Sequence, residues 1–159
     1  MVDRDGLLRG MTAGLVAAGV MSALRVLALR AGLIDRMIPQ VLQERAAGEA
    51  GGGPGDQAAH QLSAELIHHA VGLAAGGLLG AMRATPSLAT GIAYGLAIWA
   101  VGAVGLLPAL RVRRAGGSRV DALAHAVFGA VLALGMREAA AQPRLEPSPV
   151  EKPVRRRVG

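Results

Sequence analysis

The chain has no cysteine, which excludes disulfides, thiol nucleophiles and cysteine-held metal or iron–sulfur centres. Aromatic residues are nearly absent too, with one Trp, one Tyr and one Phe in 159 residues. Single-stranded nucleic acid is gripped by aromatic faces on which bases stack, and three isolated rings make no such platform. The most informative absence is of charge. From Ala84 to Leu110 the chain runs 27 residues without an Asp, Glu, Lys, Arg or His. As a helix, Ser87 to Leu110 would reach about 36 Å against a bilayer hydrocarbon core of ~30 Å.

What is present agrees with that run. More than half of the residues are hydrophobic (52%), and they come in blocks rather than at amphipathic spacing. Gly10 to Leu24, Leu66 to Met82 and Ala122 to Met136 also lack Asp, Glu, Lys and Arg, and each is apolar all round apart from Gly, Ser, Thr and His. These three are shorter than the ~20 residues a span needs, so their polar flanks must complete the crossing. The blocks predict an all-α integral membrane bundle of four transmembrane helices within residues 1–137, over about 6–29, 61–82, 87–110 and 120–136. A long loop, 30–60, joins the first two. Its Ile38, Val41 and Leu42, following a turn-starting Pro39, suggest a short interfacial helix over 38–47, and the glycine-rich stretch after it reads as a linker. The tail, 138–159, is proline-rich and basic, with too little apolar content to fold, and is expected to be disordered. The first block is not read as a cleaved signal, because Arg25 and Arg30 stand where a cleavage site needs small neutral residues.

The formal net charge is +6, but the arginines sit at block ends and in the tail. Anionic lipid headgroups are therefore the expected partner, and nucleic acid is not. A protein partner or a homo-oligomer is left unassigned. With four spans, Arg4, Arg9, Arg83, Arg137, Arg144, Lys152 and Arg155 to Arg157 share one side, and Arg30, Arg36, Arg45, Arg111, Arg113, Arg114 and Arg119 share the other. So even a division does not orient the chain by the positive-inside rule.

Two internal echoes stand out. Glu65-Leu-Ile-His-His-Ala-Val matches Asp121-Ala-Leu-Ala-His-Ala-Val without gaps, whereas a one-residue shift aligns His68-x-x-x-Gly72 with His125-x-x-x-Gly129. Gly10-x-x-x-Gly14 on the first helix resembles Gly91-x-x-x-Gly95 on the third. Two repeated helical hairpins, or chance similarity in an Ala/Gly-rich chain, account equally for this. Gly72, Gly76 and Gly80 form a stripe on one helix face. With Gly10, Gly14, Gly91 and Gly95 they predict close helix packing within the chain.

The candidate ligand or proton site is Glu65, His68, His69, Asp121, His125 and Arg25, all near the membrane face that carries the long loop. Spacing of four puts Glu65 beside His69 and Asp121 beside His125, an arrangement in which a carboxylate can accept a hydrogen bond from an imidazole. Ionisable groups within a span are costly, which marks them as functional candidates. A structural account competes: Ser118-x-x-Asp121 has the form of a capping box, Glu65 falls in the expected first turn of its helix, and Arg25 is placed to snorkel. Histidines on neighbouring helices also suit a haem, and carboxylate–histidine pairs a metal. No complete ligand set can be named, so no metal and no cofactor are assigned. No Ser or Thr stands in a nucleophile context, and no catalytic residue is expected.

The run Arg9 to Ser22, the loop Met37 to Arg45, His68-His-Ala-Val-Gly72, Ala93 to Gly102 with Leu107-Pro-Ala-Leu110, and His125-Ala-Val-Phe-Gly129 together resemble the YagU-like family of small bacterial inner-membrane proteins over roughly residues 8 to 136. The chain departs from that pattern at Gln40 and Val71. The resemblance implies a multi-pass protein of the bacterial cytoplasmic membrane whose activity is not established. The chain as a whole reads as an accessory or stress-related membrane component rather than an enzyme, with a small carrier or proton/ion conduit using Glu65, His68, His69, Asp121 and His125 as the alternative. The expressed chain should sediment with membranes, resist an alkaline carbonate wash and require detergent for release. Recovery as a water-soluble monomer would contradict the reading.

Overall fold

The computed structural model describes residues 3–33, 54–83, 85–106 and 118–142, and these are almost wholly helical. Helix α1 is Arg4–Arg30, α2 is Pro54–Met82, α3 is Leu88–Ala100 and α4 is Ser118–Ala141. Helix α3 continues without a break into a π-helical stretch, Val101–Leu106. All four are long and apolar enough to cross a membrane, over Arg4–Arg30, Leu62–Met82, Leu88–Gly105 and Arg119–Ala141. The expected interfacial helix at 38–47 and the tail from 143 onward lie outside the described residues.

Local chemistry explains the ends. Asp3 caps α1 by accepting the backbone N–H of Gly6 (3.1 Å), with Asp5 in the first turn complementing the helix dipole. At the other end Gly32 adopts φ +68°. The N–H of Leu33 returns to the carbonyl of Ala28 (2.9 Å) and that of Gly32 to Leu29 (3.1 Å), a Schellman closure that requires the left-handed conformation glycine enters freely. Ser87 caps α3 by accepting from the N–H of Thr90 (3.1 Å). The principal departure from the sequence expectation is at α2, which starts at Pro54, seven residues before 61, because proline suits a first helical turn. Helix α4 likewise extends to Ala141, five residues past 136 and into the segment expected to be a disordered tail.

Packing runs in the order α2, α1, α4, α3, so α1 and α4 each touch two neighbours. Helices α2 and α3 are linked where the Tyr94 hydroxyl donates to the Ala75 carbonyl (2.7 Å). The core is built from small residues of α1 (Ala13, Ala17, Ala18) against Leu79 of α2 and Phe128, Leu132 and Met136 of α4. Large apolar side chains such as Val16, Leu66, Ile67, Val101 and Leu123 instead point outward and are more than 60% exposed. Helices that are apolar outside as well as inside gain little by merely burying surface against one another, and close van der Waals contact must select their neighbours.

Glycine supplies that contact. Along the α1/α2 seam, Gly6 meets Gly80, Gly10 meets Gly76 and Gly14 meets Gly72, each so closely that an added Cβ would overlap the opposite carbonyl. Along α3/α4, Gly91 meets Gly129 and Ala133, and Gly95 meets the backbone of His125 and Gly129. The two seams match if Gly14 corresponds to Gly91, Ala18 to Gly95, His68 to His125 and Gly72 to Gly129. Of the two registers that the sequence leaves open for helices 2 and 4, packing follows the His68/His125 one. It also pairs Gly14, not Gly10, with Gly91. Gly76→Leu should lower stability by about 3 kcal/mol or more, the upper range for overpacking, because the obstacle is backbone. Gly102→Ala, whose Cβ would meet nothing within 4 Å, should leave the unfolding midpoint in detergent unchanged or slightly raised.

Candidate functional site

The polar residues of the interior gather at the end of the bundle that holds the C-terminus of α1 and the N-terminus of α4. Helix α1 is the hub. Ser22 and Arg25, three residues apart and so on one face, reach to opposite neighbours. The Ser22 hydroxyl donates to Glu65 Oε2 on α2 (2.9 Å). Arg25 Nη2 donates to Asp121 Oδ1 on α4 (3.3 Å), joining residues 96 positions apart. Arg25 and Asp121 are 8% and 9% exposed, and they are the buried charged residues among those described.

This burial corrects the expectation that Arg25 snorkels to the interface. Its side chain turns inward because a carboxylate is presented there, and pairing removes the need to reach water. Glu65 is also misplaced by the sequence reading: with α2 beginning at Pro54 it sits eleven residues inside the helix, too far in to complement the dipole. Asp121 does lie in the first turn of α4, and its carboxylate is engaged by Arg25.

The expected carboxylate–imidazole pairs take a different form. His69 Nδ1 bonds to the main-chain carbonyl of Glu65 and His125 Nδ1 to that of Asp121, both at 2.8 Å. A carbonyl only accepts, so each Nδ1 carries the proton, and in the neutral ring Nε2 keeps its lone pair. The Glu65 carboxylate remains 3.7 Å from His69 Nδ1, a contact that is ionic only when the imidazole is protonated. His68 and His69 stand edge to face with centroids 5.7 Å apart. Two buried polar atoms in this region have no hydrogen-bond partner among the described residues, Arg25 Nε and His68 Nε2, and Arg25 lies within electrostatic reach of both His68 and His125.

Helices α2 and α4 are not packed directly on one another, since α1 lies between them in the packing order. His68 and His125 therefore stand on helices that flank α1 rather than on directly packed neighbours. Among the described residues no group of three or more His, Asp or Glu is placed to hold a metal ion. Sequence reasoning missed Ser22, whose signal is its position one turn before Arg25, and Gly6 and Ala18, which extend the α1 stripe at four-residue spacing; Gly129, noted for its register against Gly72, is also a packing contact, against Gly91 and Gly95. Tyr94, the outer latch between α2 and α3, left no periodic trace.

Neither a protein-family model nor a curated protein nor a solved structure matches the chain. Breaking the central pair in one place, as in Asp121→Leu, strands a buried guanidinium and should cost about 3–5 kcal/mol. The double variant Arg25→Met/Asp121→Leu should recover most of that loss when unfolding is followed by far-ultraviolet circular dichroism in detergent.

Proposed function

We propose that this protein is a multi-pass component of a bacterial cytoplasmic membrane, in the manner of the YagU-like proteins it resembles, and that it acts as an accessory or stress-related element without catalytic activity of its own. The four apolar helices and their outward-facing Leu, Ile and Val side chains support the membrane setting, because a bilayer is the solvent in which those faces need no cover. Paired seams with matching glycine contacts favour two repeated hairpins as its plan.

One observation carries the accessory reading: the polar groups of the interior are used to tie helices together. Ser22 holds α2 through Glu65 and Arg25 holds α4 through Asp121. Beyond them toward the other face, the interior is filled by Ala, Leu, Phe and Met, which offer nothing to hand a proton on to. A second reading rests on Arg25 Nε and His68 Nε2, which have no hydrogen-bond partner among the described residues. Buried polar atoms are normally satisfied, and an Arg–His pair left with spare bonding capacity has the chemistry of a site that takes up a proton or a small polar ligand, the first element of a carrier or conduit.

Reconstitution separates the two. Liposomes holding the protein and a trapped pH dye should keep an imposed proton gradient as long as protein-free liposomes do. Decay accelerated tenfold or more, and abolished by His68→Ala, would replace the accessory reading with the conduit.

A further inference from the structure

At the end opposite the polar cluster, a groove of about 760 Å³ opens between α1 and α4. Its inner walls are Ala13 and Val16 from α1 and Val131 and Leu134 from α4, and its mouth carries Arg137 and Glu138. The lining is more apolar than the residue names suggest. The Thr12 hydroxyl is turned to its own helix, donating to the carbonyls of Arg9 (3.0 Å) and Leu8 (3.2 Å), so it makes no demand on an occupant.

Dimensions and charge identify what fits. From Val131 the α4 wall is apolar to Gly135, and Arg137 and Glu138 follow six and seven residues after Val131, about 10 Å along the helix. The upper part of an acyl chain can lie against that wall with its headgroup at the helix end, where the charged residues stand. Arg137 and Glu138 are exposed, adjacent and of opposite sign, and neither is drawn into an ion pair with another described residue. A guanidinium matches a phosphate and a carboxylate matches an ammonium. An anionic headgroup would satisfy the first and be repelled by the second.

We infer that this groove is a binding site for a single zwitterionic, amine-bearing phospholipid, with one acyl chain between α1 and α4, the phosphate on Arg137 and the ammonium on Glu138. The inference rests on the membrane reading above, which the carbonate wash tests separately.

The test is native mass spectrometry of the full chain in mild detergent, delipidated and then titrated with phosphatidylethanolamine or phosphatidylglycerol of the same acyl composition. One phosphatidylethanolamine should bind per chain, about tenfold more tightly than phosphatidylglycerol. Glu138→Gln should erase that preference while leaving phosphatidylglycerol binding equal or stronger. Arg137→Gln should weaken both lipids, and Leu134→Trp, which fills the groove from an exposed position, should displace the bound lipid with the helical circular dichroism intact. Equal affinity of the two lipids in the unmodified protein, or a preference that survives Glu138→Gln, would overturn the assignment. So would a lipid-free chain whose groove is protected by a second copy or by its own tail in cross-linking.

Discussion

Backbone-to-backbone approach at the glycines is the constraint from which the rest of this structure follows. Gly10 against Gly76 and Gly91 against Gly129 bring helices nearer than any side chain would permit. At that distance long stretches of both helices gain dispersion contacts at once, and each contact is small but they sum over the seam. The seams also fix axial register, because a slip by one residue sets a Cβ against a carbonyl. Once α1 is registered on α2, Ser22 falls opposite Glu65, and once α1 meets α4 through Ala13 and Gly135, Arg25 falls opposite Asp121.

The polar cluster is thus a consequence of packing and in turn constrains it. An ion pair taken out of water recovers its desolvation cost only through good geometry and further hydrogen bonds. Here the contact is long for a charge-assisted bond, at 3.3 Å, and Arg25 Nε has no partner among the described residues. Its value lies in discrimination: a rotation of α4 about its axis would leave the guanidinium facing apolar residues such as Ala122 and Leu123. The same logic applies to Ser22 and Glu65. Two polar contacts from one face of α1 therefore specify which sides of α2 and α4 turn inward, while the glycine seams specify how near they come.

Much of the fold is legible in the chain. The uncharged blocks locate four helices, Ser87 marks the start of the third, and the glycine spacing announces tight seams. The site is legible as a set of residues and not as a set of contacts. The polar residues before Glu65 hide the continuation of α2 back to Pro54, so the sequence places Glu65 at a helix end. Nothing local to Arg25 shows a partner 96 residues away, so the sequence places it at the interface. The carboxylate–histidine spacing of four is real, yet in a helix it equally brings each imidazole to the main-chain carbonyl four residues back, and that nearer acceptor is the one used. The π-helical turn at Val101–Leu106 is foreshadowed only by Gly102 and Gly105.

The amino-acid order alone settled that the chain forms helices long and apolar enough to cross a bilayer. That property depends only on residues adjacent along the chain: on rise per residue, on missing charge, and on backbone groups satisfied within each helix. The three-dimensional arrangement decided partnership: α1 between α2 and α4, Gly14 as the counterpart of Gly91, Arg25 turned inward to Asp121. Those choices depend on distances between segments remote in sequence. They are set by which surfaces can approach closely enough for backbone to meet backbone.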